Sequence, residues 1–128
     1  MTENKTSNSN AHKILSDSRK AGDILYLSGQ IGIDPKTGKM AGDDIRSQIE
    51  QVVKNIKEVV EANGIGLERI IKTNCYLSDI NDYDVFNEVY RKHFTSLPVR
   101  TCISVKGLPY NALCEIEAIA LLRDSDNN

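Results

Sequence analysis

The fold is decided by the stretch DDIRSQIEQVVKNIKEVVEANG, residues 43–64. Its apolar residues recur three or four positions apart, which is the spacing of one face of an α-helix. They are Ile45, Ile49, Val52, Val53, Ile56, Val59 and Val60. Asp43 and Asp44 complement the positive end of a helix dipole, and Asn63-Gly64 is typical of a helix C-terminus. The pattern predicts a long amphipathic helix that needs a partner surface for its apolar stripe.

Strand patterns surround this helix, with alternating or uniformly aliphatic residues. They cover residues 23–34, 69–78, 99–105 and 113–122, and weak strand character extends over 12–18. A second helix is predicted to begin at Asp79 or Asp82. Its apolar face holds Val85, Phe86, Val89, Tyr90, His93 and Phe94. The order ββαβαββ predicts a single α+β domain, with a mixed sheet and two helices on one face.

Both faces of the predicted sheet are apolar. Alternation in the strand over 69–78 groups Ile71 with Thr73 on one side and leaves Ile70 on the other. Gly29 and Gly32 predict a bend in the first strand, where backbone or ligand can approach closely. Two helices cover only one face, so the second face predicts contact with another copy of the chain.

Composition limits the classes of function. The chain has 128 residues and a net charge of −2, which argues against a nucleic-acid binder. Only two histidines, His12 and His93, are present, too few for most histidine-based metal sites. The three cysteines form no CxxC pair, and no targeting signal or membrane span is recognisable. We therefore expect a cytoplasmic protein, with polar tails over residues 1–11 and 124–128 and one domain over 12–123.

Charged residues inside strands are the candidates for chemistry, because no standard catalytic motif is present. Alternation points Arg100 and Cys102 to the same face of their strand. Glu115 and Glu117 stand among aliphatic residues in the last strand. An arginine–glutamate bridge, internal or between copies, explains this pattern as well as an anion site does. In the anion site the guanidinium binds a carboxylate through two hydrogen bonds, and a glutamate of raised pKa accepts and donates protons.

Several ordered motifs resemble the signature of the RidA/YjgF family, the reactive intermediate deaminases, which have also been labelled endoribonuclease L-PSP. They are LSGQI at 27–31, DPKTG at 34–38, NDY at 81–83 leading to Asn87, LPVRTC at 97–102, LP at 108–109 and EIEAIA at 115–120. The resemblance spans about residues 12–123. It implies a chorismate-mutase-like fold and a homotrimer with clefts between subunits. It also implies hydrolysis of 2-aminoacrylate and related enamines or imines to 2-keto acids and ammonia, with no metal and no organic cofactor.

The same resemblance implies roles for individual residues. Arg100 clamps the substrate carboxylate, and Glu115 orients or activates the attacking water, so these two are the candidate catalytic residues. Gly29, Phe86, Asn87, Arg100 and Cys102 form the candidate substrate-binding set. Glu117 is the neighbouring family acid and has a structural role.

Two departures and two alternatives accompany this reading. Leu15 stands where many deaminases of the family carry a tyrosine, and the loop from Phe94 to Pro98 is shorter than in many members, so the preferred imine stays open.

A trimer that binds 2-keto acids or other small carboxylates as a regulator would use Arg100 equally. A ribonuclease or translation inhibitor is the third reading, against which the net charge of −2 counts.

Overall fold

The computed structural model describes residues 14–123. The expected tails over 1–11 and 124–128, and with them His12, lie outside the described residues. The strands are β1 Ser18–Ala21, β2 Ile24–Gln30, β3 Ile33–Asp34, β4 Lys39–Met40, β5 Ile70–Leu77, β6 Val99–Ser104 and β7 Cys114–Leu121, and the helices are α1 Ile45–Ala62 and α2 Tyr83–His93. The main sheet has the order β1-β2-β7-β5-β6, and β3 pairs with β4 in a separate hairpin. Only β5 and β6 run parallel in the main sheet, which confirms the mixed α+β fold.

Helix α1 confirms the prediction from residues 43–64. The Asp44 carboxylate accepts a hydrogen bond from the Ser47 amide at 3.0 Å, which caps the first turn. The helix ends at Ala62 with Asn63 as its C-cap, and Gly64 follows with a φ of +83°, a conformation that favours glycine. Gln48 is buried, and its side chain donates to the Gly42 carbonyl and accepts from the Leu113 amide, both at 2.8 Å. This side chain ties α1 to the segment that enters β7.

The sheet has one covered face and one uncovered face. The helix face packs against α1 and α2, and its central residues on β5 and β7 are buried: Thr73, Cys75, Leu77, Cys114, Ile116, Ala118 and Ala120. The open face is the opposite side, and it carries Tyr26, Ile103, Glu115, Glu117 and Ile119. Tyr26 and Ile103 are 49% and 47% exposed. The described chain therefore leaves large apolar side chains on a sheet face that no element of its own covers.

Three strand predictions differ from the structure. Residues 14–17 form no strand, and the first strand is Ser18–Ala21, C-terminal to the weak strand character expected over 12–18. Ile70 is buried and Ile71 is exposed, the reverse of the predicted grouping with Thr73. The cause is a shift in the β5–β7 register between Ile70 and Lys72. A one-residue irregularity reverses the sides of the sheet to which the side chains before it point. The strand predicted over 23–34 ends at Gln30, after a similar irregularity next to Gly29.

Beyond Gln30 the backbone is held by helix α1 instead of by the main sheet. The Asn55 amide donates to the carbonyls of Ile31 and Ile33, each at 3.0 Å. Among the residues described, no helix is long and apolar enough to cross a membrane.

Candidate active site

Arg100 lies on the edge strand β6 with its side chain on the helix face, beside α2. Its Nη1 donates to Asn87 Oδ1 at 2.8 Å, and its Nη2 donates to the Tyr83 hydroxyl at 3.4 Å. No carboxylate among residues 14–123 forms an ion pair with this guanidinium. A guanidinium has five N–H donors in a planar fork that fits a carboxylate, and neutral partners leave its charge uncompensated. This arrangement can bind a carboxylate ligand.

Aromatic rings fix the position of the guanidinium. The Arg100 Cζ atom lies 4.7 Å from the centroid of the Tyr90 ring and 5.8 Å from that of Tyr83, within the range of cation–π attraction. The Tyr90 hydroxyl is held in turn by a 2.7 Å hydrogen bond with the Thr73 hydroxyl on β5. We call Arg100, Asn87, Tyr83 and Tyr90 the arginine cluster.

Phe86 contacts the arginine cluster only through Tyr90, from the buried side of that ring. Its side chain is fully buried, and its ring stacks on Tyr90 with centroids 6.0 Å apart. This differs from the expectation that Phe86 lines the cleft, because the side chain points into the core between helix and sheet. The described chain places Phe86 as a support for the ring on which Arg100 rests.

A shallow cavity of about 470 Å³ adjoins the arginine cluster. Its lining residues are Ile80, Asn81, Tyr83, Asp84 and Cys102. Cys102 stands two residues after Arg100 on the same face of β6, so the cavity and the guanidinium share one side of the strand. A small ligand held by Arg100 would extend into this space.

The Cys102 thiol differs from the other two cysteines. The neighbouring Cys75 thiol, and then the positive charge of Arg100, lowers the pKa of Cys102 to about 7. The neighbouring Cys102 sulfur, together with burial, raises the pKa of Cys75. Burial raises the pKa of Cys114 to about 12. Cys75 and Cys114 are buried, whereas Cys102 is partly exposed.

Glu115 lies on the open face, next to Gly29. A Cβ atom built on Gly29 would stand 2.8 Å from Glu115 Cδ and 3.1 Å from Cγ, and closer still to the carboxylate oxygen Oε2. The bare glycine therefore makes room for this carboxyl where β2 departs from its register with β7. Burial, and then the nearby charge of Glu117, raises the pKa of Glu115. A half-buried carboxyl of raised pKa is suited to accept and return a proton.

Glu117 stands one pleat along from Glu115 and is held by neighbours on β5. Asn74 Nδ2 donates to Glu117 Oε2 at 3.0 Å. Burial raises the pKa of Tyr76, with further contributions from the charge of Glu117 and a hydrogen bond with it. These bonds fix Glu117 in place.

The predicted site residues fall into two separate groups. Arg100 pairs in register with Thr73, a residue of the helix face, whereas Glu115 pairs with Tyr76 on the open face. Directly paired residues point to the same side of a sheet. Arg100, Asn87 and Cys102 therefore lie on one face, and Gly29 and Glu115 lie on the other. The arginine–glutamate bridge considered from the sequence is absent within the described chain, where Asn87 and Tyr83 partner Arg100 instead.

Sequence reasoning missed Tyr83 and Tyr90 as parts of this site. Tyr90 was placed on the apolar face of the second helix and Tyr83 only in the NDY motif, although Tyr83, Asn87 and Tyr90 stand at i, i+4 and i+7. That spacing puts three polar side-chain ends on one helical face, which is a signal that the sequence contains. His93, predicted on the apolar face of this helix, bonds Glu50 Oε1 at 3.0 Å. Within residues 14–123 no group of three or more His, Cys, Asp or Glu residues could hold a metal ion.

Known proteins are similar to this chain in sequence and in fold. The family model described as "Endoribonuclease L-PSP" matches residues 6–122. A RutC family protein of Pyrococcus horikoshii is 49% identical over 79% of this chain and 81% of its own length. The 2-iminobutanoate/2-iminopropanoate deaminase of Salmonella typhimurium is 41% identical over 80% of this chain and 82% of its own. The crystal structure of Escherichia coli TdcF with bound serine has a TM-score of 0.81 at 34% identity, over 86% of this chain and 88% of that one. The identity and the extent of these matches show that the chain belongs to the RidA/YjgF family.

Proposed function

We propose that this protein hydrolyses 2-aminoacrylate and related enamine or imine intermediates to 2-keto acids and ammonia. The observation that carries the proposal is the guanidinium of Arg100, held by the neutral groups of Asn87 and Tyr83, with no carboxylate of the described residues paired to it. Such a group selects ligands with a free carboxylate, as 2-imino acids have. The deaminase name of a relative 41% identical supports the reaction, and the serine bound by TdcF supports the ligand class.

The working unit we propose is a homotrimer with one cleft at each subunit interface. Arg100 lies on the helix face and Glu115 on the open face, so one chain does not supply a complete site. A second copy that covers the open face would bring its arginine cluster to the Glu115 carboxyl of the first. Burial of Tyr26 and Ile103 would favour this contact, because both are large apolar side chains half exposed in the single chain.

The proposed reaction needs one clamp and one proton carrier. Arg100 holds the substrate carboxylate and so fixes the neighbouring carbon C2, which in the imine form is electrophilic. Starting from the protonated imine, Glu115 accepts a proton from water as the water oxygen bonds to C2 and the carbon–nitrogen double bond opens, which forms a tetrahedral carbinolamine. Glu115 returns this proton to the nitrogen. The carbon–nitrogen bond then breaks while Glu115 takes the hydroxyl proton, so that the keto acid and ammonia form, and ammonia leaves with that proton as ammonium. Because these side chains supply both steps, we propose that no metal or organic cofactor takes part.

The assay couples a serine/threonine dehydratase to this protein and follows imine decay beside the appearance of pyruvate or 2-ketobutyrate. Arg100→Ala should abolish the acceleration of imine decay. The matched control is Arg91→Ala, because Arg91 is an exposed arginine on α2 outside the arginine cluster. Near-normal turnover by Arg100→Ala in a folded protein would contradict the assignment.

A regulator that binds 2-keto acids is the second candidate, because the arginine cluster is complete within one chain and binding does not need Glu115. Glu115→Gln separates the two. A deaminase should lose turnover while it still binds pyruvate in calorimetry. A regulator should bind pyruvate in the wild type with no turnover at all.

Ribonuclease activity has the family description in its favour and the net charge of −2 against it. RNA cleavage that persists in Arg100→Ala, with no imine turnover in the wild type, would establish it. The free thiols of Cys75, Cys102 and Cys114 fit a reducing compartment, and we propose the cytosol.

A further inference from the structure

Cys75 and Cys102 stand directly opposite each other on neighbouring parallel strands. They are register partners of the β5–β6 pair and share the helix face. Adjacent strands are about 4.8 Å apart. That spacing lies within the range of Cα separations, about 4.4–6.8 Å, over which a disulfide can close. The two side chains point to the same side of the sheet from paired positions, so their sulfur atoms are neighbours.

The two thiols have unequal surroundings. Cys102 lines the cavity and is partly exposed, so a small molecule in solvent can reach its sulfur. Arg100 lies on the same face two residues earlier, and its positive charge favours the Cys102 thiolate. Cys75 is fully buried, and its thiol donates to the Thr73 hydroxyl with a sulfur–oxygen distance of 3.8 Å. The Cys102 sulfur can therefore react with a molecule from solvent, whereas the Cys75 sulfur is reached only by Cys102.

We propose that Cys102 and Cys75 form a peroxide-reactive dithiol, in which Cys102 is oxidised first and Cys75 closes a reversible disulfide between β5 and β6. Cys102 also belongs to the candidate substrate-binding set, but the thiol oxidation needs no imine and does not depend on the deamination proposed above.

The steps balance with a hydroperoxide as the oxidant. The Cys102 thiolate attacks one peroxide oxygen, the oxygen–oxygen bond breaks, and protonation of the leaving oxygen gives water from hydrogen peroxide. The sulfur is now a sulfenic acid, oxidised by two electrons. The Cys75 sulfur then attacks the Cys102 sulfur, a sulfur–sulfur bond forms, and the hydroxyl leaves as a second water with the Cys75 proton.

Cys114 is the third cysteine of the chain and is fully buried. Its partner on the neighbouring strand β5 is Leu77, so no cysteine faces it across the β5–β7 pair. It provides an internal control within the same chain.

The experiment treats the folded protein with hydrogen peroxide, blocks remaining thiols, digests without reductant and maps the cysteine peptides by mass spectrometry. We expect a peptide that links Cys75 to Cys102, lighter by two hydrogen atoms than its two halves and restored by dithiothreitol. Cys114 should remain a thiol. In urea the share of Cys75–Cys102 linkage should fall below that of Cys102–Cys114, because Cys114 is nearer to Cys102 along the chain and competes for it.

Two variants make the result decisive. Cys75→Val and Cys75→Ser each remove the resolving thiol with little change in volume, and either one serves if the other folds poorly. In both, Cys102 should be trapped by dimedone as the sulfenic acid and then gain further oxygen irreversibly. The proposal is overturned if wild-type Cys102 gains oxygen as readily as in these variants, if it links to another chain, or if it does not react.

Discussion

At the residue scale, Gly29 controls the position of the candidate base. A methyl group at this position would meet the Glu115 carboxyl, which is the mobile end of a flexible side chain. We expect Gly29→Ala to fold but to turn Glu115 away, with turnover at least tenfold lower in the coupled imine assay. The control is Gly107→Ala, because Gly107 has no heavy atom within 4 Å of an added Cβ. Equal turnover in both variants would show that the position of Glu115 is irrelevant.

The pH dependence of turnover reports on the same carboxyl. Burial first, and the charge of Glu117 second, raise the pKa of Glu115. Glu115 accepts a proton only when ionised, so kcat/KM should fall as the pH drops through a pKa above the usual carboxyl range. Glu117→Gln removes the second cause, and the acid limb should move to lower pH. An acid limb that stays in place would separate Glu117 from the pKa of Glu115.

The sequence identified the candidate site residues, but not which of them lie on the same face of the sheet. Strand alternation correctly put Arg100 and Cys102 on one side of their strand. It could not tell that Arg100 and Glu115 face opposite ways, because that depends on β5 lying between β6 and β7. The order of strands is set by pairing between distant segments, which leaves no local signal.

At the element scale, helix α1 was predictable because its periodicity and caps are local. Its attachment to the segment before β7 could not be predicted from the sequence, because it depends on one buried side-chain amide, that of Gln48.

Gln48→Ala should remove the partners of the Leu113 amide and the Gly42 carbonyl and destabilise the fold by about 1–3 kcal/mol. Urea unfolding at fixed protein concentration measures this. Gln51→Ala, on the same helix, is the control and should cost less; equal losses would contradict the role of Gln48.

The strands illustrate the opposite case. The register break at Ile71 reversed the predicted sides of Ile70 and Ile71, because a bulge depends on the partner strand. The end of β2 at Gln30 depends on Asn55 in the following helix, whose amide holds the carbonyls of Ile31 and Ile33. Neither contact leaves a pattern in its own segment.

At the scale of the whole molecule, the open face should control assembly. Ile103→Asp places a charge among the apolar side chains of the open face, on its edge strand β6, and burying it unpaired would be costly. We expect monomers in sedimentation, together with unchanged helical circular dichroism and lost turnover. Lys57→Glu changes the charge on the exposed side of α1 and should leave the oligomer intact. An oligomer that survives Ile103→Asp would direct the search to a different interface.

The central claim is that Arg100 of one copy and Glu115 of another complete each site. The most direct test mixes the Arg100→Ala and Glu115→Gln proteins, exchanges their subunits by unfolding and refolding together, and measures imine turnover. Neither variant holds a complete site alone. In randomly mixed trimers about a quarter of the interfaces would combine a native arginine with a native glutamate. We predict that about a quarter of wild-type turnover returns; a mixture no more active than its separate components would contradict the shared site.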